Sequence, residues 1–174
     1  MNGADGVPAG RPIVLVGAPG SGKSTVGTLL AERLGRPFVD VDAVIEGRAG
    51  KPIAEIFVDD GEPVFRALEE ATTIELLDRP AVISLGGGAV LSTTIRQALA
   101  GHLVVWLQVS AGAASERVGL STARPLLLGN VRGRLIQLLN QRTPLYDEVA
   151  AVRIATDGST VAQVVEQILG SLDD

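Results

Sequence analysis

The segment GAPGSGKST, residues 17–25, directly follows an apolar run at residues 13–16. It matches the pattern G-x-x-x-x-G-K-[ST], in which a strand ends at a glycine-rich loop and a helix begins behind it. There, backbone N–H groups and the positive end of the helix dipole converge on one place, where a polyphosphate binds. The segment therefore predicts a nucleoside-triphosphate site. The strand–loop–helix context disfavours the alternative, a Gly/Ser-rich turn before a helix.

Two side chains of this loop are expected to act on the nucleotide. Lys23 places a positive charge at the outer phosphates, and the Ser24 hydroxyl is placed to ligate Mg²⁺. Lys23 is one of two lysines in the chain, so a chance match of the whole pattern is improbable. The predicted ATP contacts within the loop are Gly20, Ser21, Gly22, Lys23, Ser24 and Thr25.

Composition limits both the fold and the partners. With 174 residues we expect a disordered tail at residues 1–10 and a single domain at residues 11–174. Hydrophobic residues make up 46% of the chain and aromatic residues only 3%, which suits an aliphatic core of buried parallel strands. The net charge of −5 argues against nucleic acid and anionic membranes as partners. Cysteine is absent, which excludes disulfides and thiolate zinc sites.

No apolar stretch reaches the ~18 residues that span a bilayer, and residues 1–10 lack the order of a signal peptide. We therefore expect a cytoplasmic monomer whose partners are small molecules.

Strand and helix patterns alternate along the chain. The expected strands are residues 13–16, 37–41, 81–85, 102–109 and 151–155. The expected helices are residues 23–34, 42–48, 52–57, 61–77, 93–99, 111–118, 131–142 and 160–172. Five short apolar strands separated by helices indicate a three-layer α/β/α fold with a central five-stranded parallel sheet.

Two aspartates, Asp40 and Asp42, come at the end of the second expected strand. Carboxylates at positions i and i+2 of a strand point to the same face, and the carboxyl end of a parallel strand opens onto the ligand crevice. One carboxylate can hold Mg²⁺ through water near Ser24, while the other orients a substrate hydroxyl. The alternative for such a pair is two solvated loop charges, which the neighbouring phosphate loop disfavours.

Arg66 lies one turn into the helix expected at residues 61–77. Arginine is suited to a bidentate grip on a carboxylate or phosphate, whereas the alternative is a surface pair with Glu62 or Glu69.

Gly86, Gly87 and Gly88 follow the third expected strand. Three consecutive glycines are costly in entropy, which favours a close approach of ligand to backbone over a flexible turn.

Taken in order, these motifs resemble the shikimate kinase family. The resemblance extends over nearly the whole chain, through the phosphate loop, the Asp40/Asp42 pair and residues 56–69, 84–90, 124–127 and 142–146. The phosphate loop alone indicates only the P-loop superfamily, whereas the ordered set is specific. The resemblance implies a P-loop kinase fold with a mobile lid at about residues 119–133.

The resemblance also implies an activity, the ATP-dependent phosphorylation of the 3-hydroxyl of shikimate in the pathway to chorismate and aromatic amino acids. It places Asp42 at the accepting hydroxyl, as the group that takes up its proton, and Asp40 near Mg²⁺ and Ser24. It assigns Arg66 and Arg142 to the shikimate carboxylate. Phe65 and the three glycines at residues 86–88 border the same pocket.

On the nucleotide side, the resemblance places Arg124 in the lid, from which it reaches the phosphates. The predicted catalytic residues are therefore Asp42, Lys23 and Arg124. Arg117 resembles the arginine that stacks on adenine. The chain departs from the family in the late loop over adenine, which often carries an Arg and a Pro and here has residues 157–160, DGST. The adenine contacts of that loop are therefore left open, as is the form of the lid segment at residues 126–134.

Two other residues are assigned to the structure and not to the chemistry. His102, the single histidine, opens the fourth expected strand and has no partner motif. Trp106 lies in the middle of the same apolar strand and is expected in the core.

Two alternatives are kept for the function. Another small P-loop metabolite kinase, such as a gluconate kinase or a nucleoside monophosphate kinase, also has a lid and scattered arginines. A nucleotide substrate would, however, leave the combination of the Asp40/Asp42 pair with Phe65 and Arg66 unexplained. A catalytically silent nucleotide switch has no need of Asp42, Arg66 and Arg142 together.

We expect limited proteolysis of the free protein to cut within residues 119–133, because Arg124 lies there in a stretch without helical or strand periodicity. Phosphate contact orders such lids, so an ATP analogue with shikimate should slow the cleavage. Mass spectrometry of the fragments gives the position of the cut. Equal cleavage rates with and without the ligands would contradict a lid.

Overall fold

The structure is a computed structural model that describes residues 9–119 and 131–174. The described residues form the strands β1 (Ile13–Val16), β2 (Phe38–Asp40), β3 (Val82–Ser84), β4 (Leu103–Gln108) and β5 (Val152–Ala155). They form the helices α1 (Lys23–Leu34), α2 (Val41–Ala49), α3 (Ile53–Asp59), α4 (Glu62–Leu76), α5 (Thr93–Ala98), α6 (Ala111–Gly119), α7 (Val131–Val149) and α8 (Val161–Leu172). None of these helices has the length and apolar character needed to cross a membrane.

The strands form one sheet in the order β2-β3-β1-β4-β5, and every neighbouring pair is parallel. β1 lies at the centre, with Leu15 in register with Ser84 on one side and with Val105 on the other. All four residues of β1 are buried, as expected for a parallel strand covered on both faces. The predicted α/β fold with a five-stranded parallel sheet is thus confirmed.

Alternate residues of the strands pack into two separate cores. Ile13 and Leu15 of β1 face the core that α1 and α8 cover, whereas Val14 and Val16 face the opposite core. The second core is covered by α2, α3, α4, α5 and α7. The two cores on opposite faces give the predicted three layers.

The connection that leaves β1 runs to β2 at one edge of the sheet, whereas the connection that leaves the neighbouring β3 runs the opposite way, to β4, so the direction reverses between β1 and β3. In open α/β sheets such a reversal leaves a crevice at the carboxyl ends of the strands, and ligands bind there. β2 and β3 pair in the register that places Asp40 beside Ser84. The segments that follow these two strands therefore leave the sheet side by side at the crevice.

Helix α7 is seven residues longer than predicted. The sequence pattern ends this helix at Arg142, but the helix continues through Pro144 to Val149. A proline inside a helix removes a hydrogen bond and is normally unfavourable. Here the residues beyond it are held by packing, because Tyr146 is 1% exposed and Leu145 and Val149 contact the core. Tertiary contacts therefore outweigh the local preference.

We expect Gly27→Ala in α1 to lower the free energy of unfolding by about 1–3 kcal/mol, the usual cost of overpacking a core. A Cβ built on Gly27 clashes with the Phe38 ring of β2 and lies 3.1 Å from Leu15 Cδ1. Gly47 of α2 is exposed, and a Cβ there meets nothing within 4 Å. Gly47→Ala is therefore the matched control and should stabilise by about 0.5–1 kcal/mol, from helix propensity alone.

Chemical denaturation of both variants measures the difference. A Gly27→Ala protein as stable as Gly47→Ala would contradict the close packing of α1 against β2.

Candidate active site

A cavity of about 320 Å³ lies at the carboxyl ends of β1, β2 and β3. It brings together residues that are far apart in sequence. The predicted site residues that line it are Lys23, Ser24, Asp40, Asp42, Phe65, Arg66, Gly86, Gly87, Gly88 and Arg142. Pro19, Glu69, Ser84 and Leu85, which the sequence analysis did not assign to a site, line it too. We refer to it as the acceptor cavity.

A larger cavity of about 570 Å³ lies at the opposite end of the sheet, where β4 and β5 begin. His102 and Arg96 line it, and Arg96 is paired with Glu148 at 2.7 Å. Neither the phosphate loop nor the paired aspartates reach this cavity. Size alone therefore does not mark the active site, and the chemistry points to the acceptor cavity.

The phosphate loop ends at Gly22, whose φ of 92° lies in the left-handed region that glycine adopts without strain. Gly22 is the N-cap of α1, and it has no side chain to cap the first N–H groups of that helix. Uncapped N–H groups at a helix N-terminus are ready donors for an anion. The predicted ATP residues Ser24 and Thr25 lie in the first turn of the same helix.

Lys23 folds back over the phosphate loop. Its Nζ donates to the carbonyl oxygens of Gly17 at 2.7 Å and Ala18 at 3.2 Å. Burial lowers the pKa of Lys23 to about 8, although Asp42 and Asp40 act in the opposite direction. The ammonium group is therefore charged at neutral pH and close to titration just above it.

The predicted placement of the two aspartates on one strand is wrong. β2 ends at Asp40, and α2 begins at Val41, so Asp42 lies in the first turn of a helix. Asp40 is the N-cap of α2, and its Oδ1 accepts the N–H groups of Asp42 at 2.9 Å and Ala43 at 3.3 Å. Aspartate is a favoured N-cap residue, which explains why the strand turns into a helix here. Both carboxylates nevertheless reach the acceptor cavity.

The Asp42 carboxylate is partly buried and lies against the backbone of Gly86. Among the described residues, its Oδ1 is a buried atom without a hydrogen-bond partner. Burial raises the pKa of Asp42, the Asp40 carboxylate raises it further, and Lys23 lowers it. The result is a carboxylate with a free acceptor atom and an increased affinity for a proton.

Arg66 of α4 is held by an acidic residue that the sequence analysis considered only as a surface partner. Its Nη1 donates to Glu69 Oε1 at 2.9 Å, and its Nε lies 3.5 Å from Glu62 Oε1. Glu69 is 1% exposed, so the pair is not a surface pair. Burial raises the pKa of Glu69, while the hydrogen bond from Arg66 acts in the opposite direction. The guanidinium also lies 5.3 Å from the centre of the Phe65 ring.

Two of the three glycines after β3, Gly86 and Gly88, are required by the close approach of charged side chains. A Cβ on Gly86 would lie 2.9 Å from Asp42 Oδ1 and 3.1 Å from Glu69 Oε2. A Cβ on Gly88 would lie 2.6 Å from Arg66 Nη1. Any side chain at these two positions would displace a carboxylate or the guanidinium. The sequence analysis predicted that a ligand approaches this glycine backbone closely. In the structure, charged side chains of the site itself also approach it closely.

Helix α7 contributes Arg142 and, one turn later, Tyr146. Arg142 Nε is buried and has no hydrogen-bond partner among the described residues, and its Nη1 lies 3.4 Å from a Cβ built on Gly87. The Tyr146 hydroxyl donates to the Gly87 carbonyl at 2.6 Å, which fixes the glycine segment. The sequence analysis missed this role of Tyr146, although its spacing of four residues from Arg142 places both on one helix face.

A third cavity, of about 320 Å³ like the acceptor cavity, lies on the other side of the phosphate loop. Ser21, Gly22, Thr25 and Arg117 line it together with residues of the loop after β5. Arg117 Nη1 donates to the Gly20 carbonyl at 2.8 Å. We refer to it as the nucleoside cavity, because it adjoins the predicted phosphate site.

Arg124, the remaining predicted catalytic residue, and most of the predicted lid lie outside the described residues.

Comparison with known proteins identifies the family. The model of the family described as shikimate kinase matches residues 19–173. The shikimate kinase of Thermobifida fusca (strain YX) is 52% identical over 164 residues, which cover 93% of this chain and 95% of that protein. The chain belongs to the shikimate kinase family. The shikimate kinase of Saccharopolyspora erythraea is also similar, with 54% identity over 158 residues and 90% of each chain covered.

Solved structures agree with this family. A shikimate kinase from Acinetobacter baumannii in complex with shikimate matches with a TM-score of 0.87 and 39% identity, over 93% of this chain and 92% of that one. A gluconokinase from Sinorhizobium meliloti matches with a TM-score of 0.56 and 23% identity, which supports the fold alone. The predicted family, fold class and shikimate kinase activity are thereby confirmed, and the enzyme is an ATP-using kinase.

We expect the affinity of the free enzyme for ADP to fall as the pH rises above about 8, the pKa of Lys23. Bound phosphates stabilise the ammonium form and raise this pKa, so binding takes up a proton above pH 8 and weakens there. Isothermal titration calorimetry from pH 7 to 10 measures the profile. Lys23→Arg keeps a permanent charge and should give a flat profile over the same range. A wild-type profile equally flat would contradict the lowered pKa.

Proposed function

We propose that the enzyme transfers the γ-phosphoryl group of ATP to the 3-hydroxyl of shikimate, giving ADP and shikimate 3-phosphate on the pathway to chorismate and aromatic amino acids. One observation carries the assignment of the site: a carboxylate with a free oxygen, two arginines and the phosphate-loop lysine line one cavity of about 320 Å³. Shikimate offers a carboxylate and hydroxyl groups, which these side chains complement.

Arg66 and Arg142 bind the shikimate carboxylate in this proposal. Arg142 has a buried Nε without a partner among the described residues, so it has a donor available for an incoming anion. Arg66 is already oriented by the buried Glu69, which leaves its remaining N–H groups for the substrate. Phe65 packs under this guanidinium and borders the pocket with Gly86, Gly87 and Gly88.

Asp42 accepts the proton of the attacking hydroxyl. As the 3-hydroxyl oxygen bonds to the γ-phosphorus, the bond from phosphorus to the β,γ-bridging oxygen breaks, and ADP leaves with that oxygen. The hydroxyl proton passes to the carboxylate of Asp42, which lines the acceptor cavity. Its raised pKa supports this role, because a general base works best when its pKa approaches the working pH.

The phosphate loop holds the nucleotide. Lys23 balances charge on the outer phosphates, and backbone N–H groups at residues 20–25 bind them, as phosphoryl transfer depends mainly on positioning and charge neutralisation. Arg117 lies beside the base in the nucleoside cavity. Arg124 closes over the phosphates from the lid at residues 119–133, as the family resemblance implies.

The donor set also suits Mg²⁺. This ion prefers oxygen ligands and usually takes one or two carboxylates together with phosphates and water. The Ser24 hydroxyl and the Asp40 carboxylate line the acceptor cavity, and the described residues hold no cluster of three or more His, Cys, Asp or Glu that would bind a metal alone. Ser24 and, through water, Asp40 would hold the ion, which neutralises phosphate charge when bound. The monomeric state and cytoplasmic location stay predictions.

We expect Asp42→Asn to lower turnover by about 10²–10⁴-fold, the usual contribution of a general base, while ATP binding is largely unchanged. Asparagine keeps the shape and one acceptor oxygen but loses the charge and the proton affinity. A coupled assay that varies ATP, shikimate and Mg²⁺ separately measures the effect.

Asp40→Asn is the matched comparison, because it removes the neighbouring carboxylate and should chiefly raise the Mg²⁺ requirement. Arg66→Ala should instead raise KM for shikimate, since a carboxylate clamp acts mainly on binding. Arg33→Ala removes an exposed arginine from the opposite face of the sheet and should change none of these constants. An Asp42→Asn enzyme altered only in its Mg²⁺ dependence would refute the assignment of the acceptor side.

A further inference from the structure

The loop after β5 is fastened by hydrogen bonds that the proposed chemistry does not use. Thr156 is buried, and both its N–H, at 2.9 Å, and its hydroxyl, at 2.7 Å, donate to the carbonyl oxygen of Gln108 at the end of β4. The next residue, Asp157, accepts the N–H of Ser110 on its Oδ1 at 3.0 Å. Two successive residues of the loop are therefore tied to the segment that leads from β4 into α6.

Ser110 in turn holds the start of α6. Its carbonyl oxygen accepts the N–H of Ala114 at 2.9 Å, and its Oγ accepts the N–H of Ala113 at 3.1 Å. The hydrogen bonds with Ser110 lower the pKa of Asp157, and the positive charge of Arg117 lowers it further. An ionised Asp157 therefore connects the loop after β5 to the first turn of α6.

Arg117 lies two turns further along α6 and returns to the same loop. Its Nη2 lies 3.4 Å from the Thr156 carbonyl oxygen, and its Nη1 lies 3.5 Å from Thr156 Oγ1 while donating to Gly20 of the phosphate loop. Asp157 and Arg117 thus join α6 to one loop at two points. The Arg117–Thr156 contact lies at the nucleoside cavity, which both residues line, whereas Asp157 is the chain neighbour of Thr156 and holds the loop from outside that lining.

We propose that Asp157 is a positioning residue for the nucleoside part of ATP. By tying residues 156–160 to the start of α6, it holds Arg117 and Thr156 at the wall against which the base binds. Because these residues are already ordered before binding, less conformational entropy is lost when the nucleotide binds. The inference rests on the proposed function, because it takes the nucleoside cavity as the site of the base.

The test compares Asp157→Ala with Asp157→Asn. Alanine removes the acceptor for the Ser110 N–H, and we expect KM for ATP and the dissociation constant for ADP to rise about three- to tenfold, the weight of one hydrogen bond. kcat and KM for shikimate should stay unchanged. Asparagine keeps the acceptor oxygen and should restore values near those of the wild type.

Asp78→Ala is the matched control. Asp78 is exposed in the turn after α4, remote from both cavities, and its removal should leave every constant unchanged. Thermal unfolding of each variant verifies that the protein is folded.

Inorganic tripolyphosphate distinguishes binding of the phosphates from binding of the base. It has no base, so its inhibition constant should be the same for the wild type, Asp157→Ala and Asp157→Asn. A cycle with Arg117→Ala tests the route of the effect: in that background, Asp157→Ala should weaken ADP binding by less than it does alone, since residues that act together are not additive.

Three results would overturn the inference: an unchanged affinity of Asp157→Ala for ATP and ADP, an Asp157→Asn protein as weak as Asp157→Ala, or fully additive effects in the cycle with Arg117. If Asp157→Ala alone is without effect while Arg117→Ala weakens ADP, only the role of Asp157 fails. If neither variant changes ADP binding and tripolyphosphate still binds, the base does not lie in this cavity, and the nucleotide side of the proposed function fails as well.

Discussion

Strand β1 is covered by helices on both faces and paired with β3 and β4 at both edges, so none of its four side chains meets solvent. A strand enclosed in this way is accessible only at its ends. The chain leaves β1 at Val16 and begins α1 at Lys23, so the six intervening residues form a loop at the crevice. The site for phosphate follows from this packing, because both elements that flank the loop are anchored in the cores.

Charges of both signs crowd around the glycine segment, residues 86–88. Burial works against the charged form of three groups in the acceptor cavity, since it raises the pKa of Asp42 and Glu69 and lowers that of Lys23. The Arg66–Glu69 pair compensates for part of this cost. Among the described residues, four buried side-chain polar atoms lack a hydrogen-bond partner, and two of them, the donor Arg142 Nε and the acceptor Asp42 Oδ1, belong to residues that line the acceptor cavity. A ligand with an anion at one end and a hydroxyl at the other would satisfy both.

The sequence predicted most of the fold, because apolar strands, glycine stops and the phosphate loop are local signals. It failed where long-range contacts decide. Helix α7 was expected to end at Arg142, but it continues through Pro144 to Val149, where Tyr146 is buried. Asp40 and Asp42 were expected to project together from one strand end, but Asp40 caps a helix that begins at Val41, so Asp42 lies in the first turn of that helix. Glu69 was considered a surface residue, since nothing in its local sequence reveals that it packs beside Gly86.

The contact between Tyr146 and Gly87 has an optical consequence. Tyr146 lies with its ring centre 5.9 Å from that of Trp106, which is 8% exposed and is the single tryptophan of the chain. All indole emission therefore comes from Trp106. This residue contacts Tyr146, which in turn donates a hydrogen bond to Gly87 in the wall of the acceptor cavity. A shift of the glycine segment changes the surroundings of Tyr146 and, through it, of the indole. The protein thus carries its own fluorophore behind the substrate pocket, and no added dye is needed to follow events there.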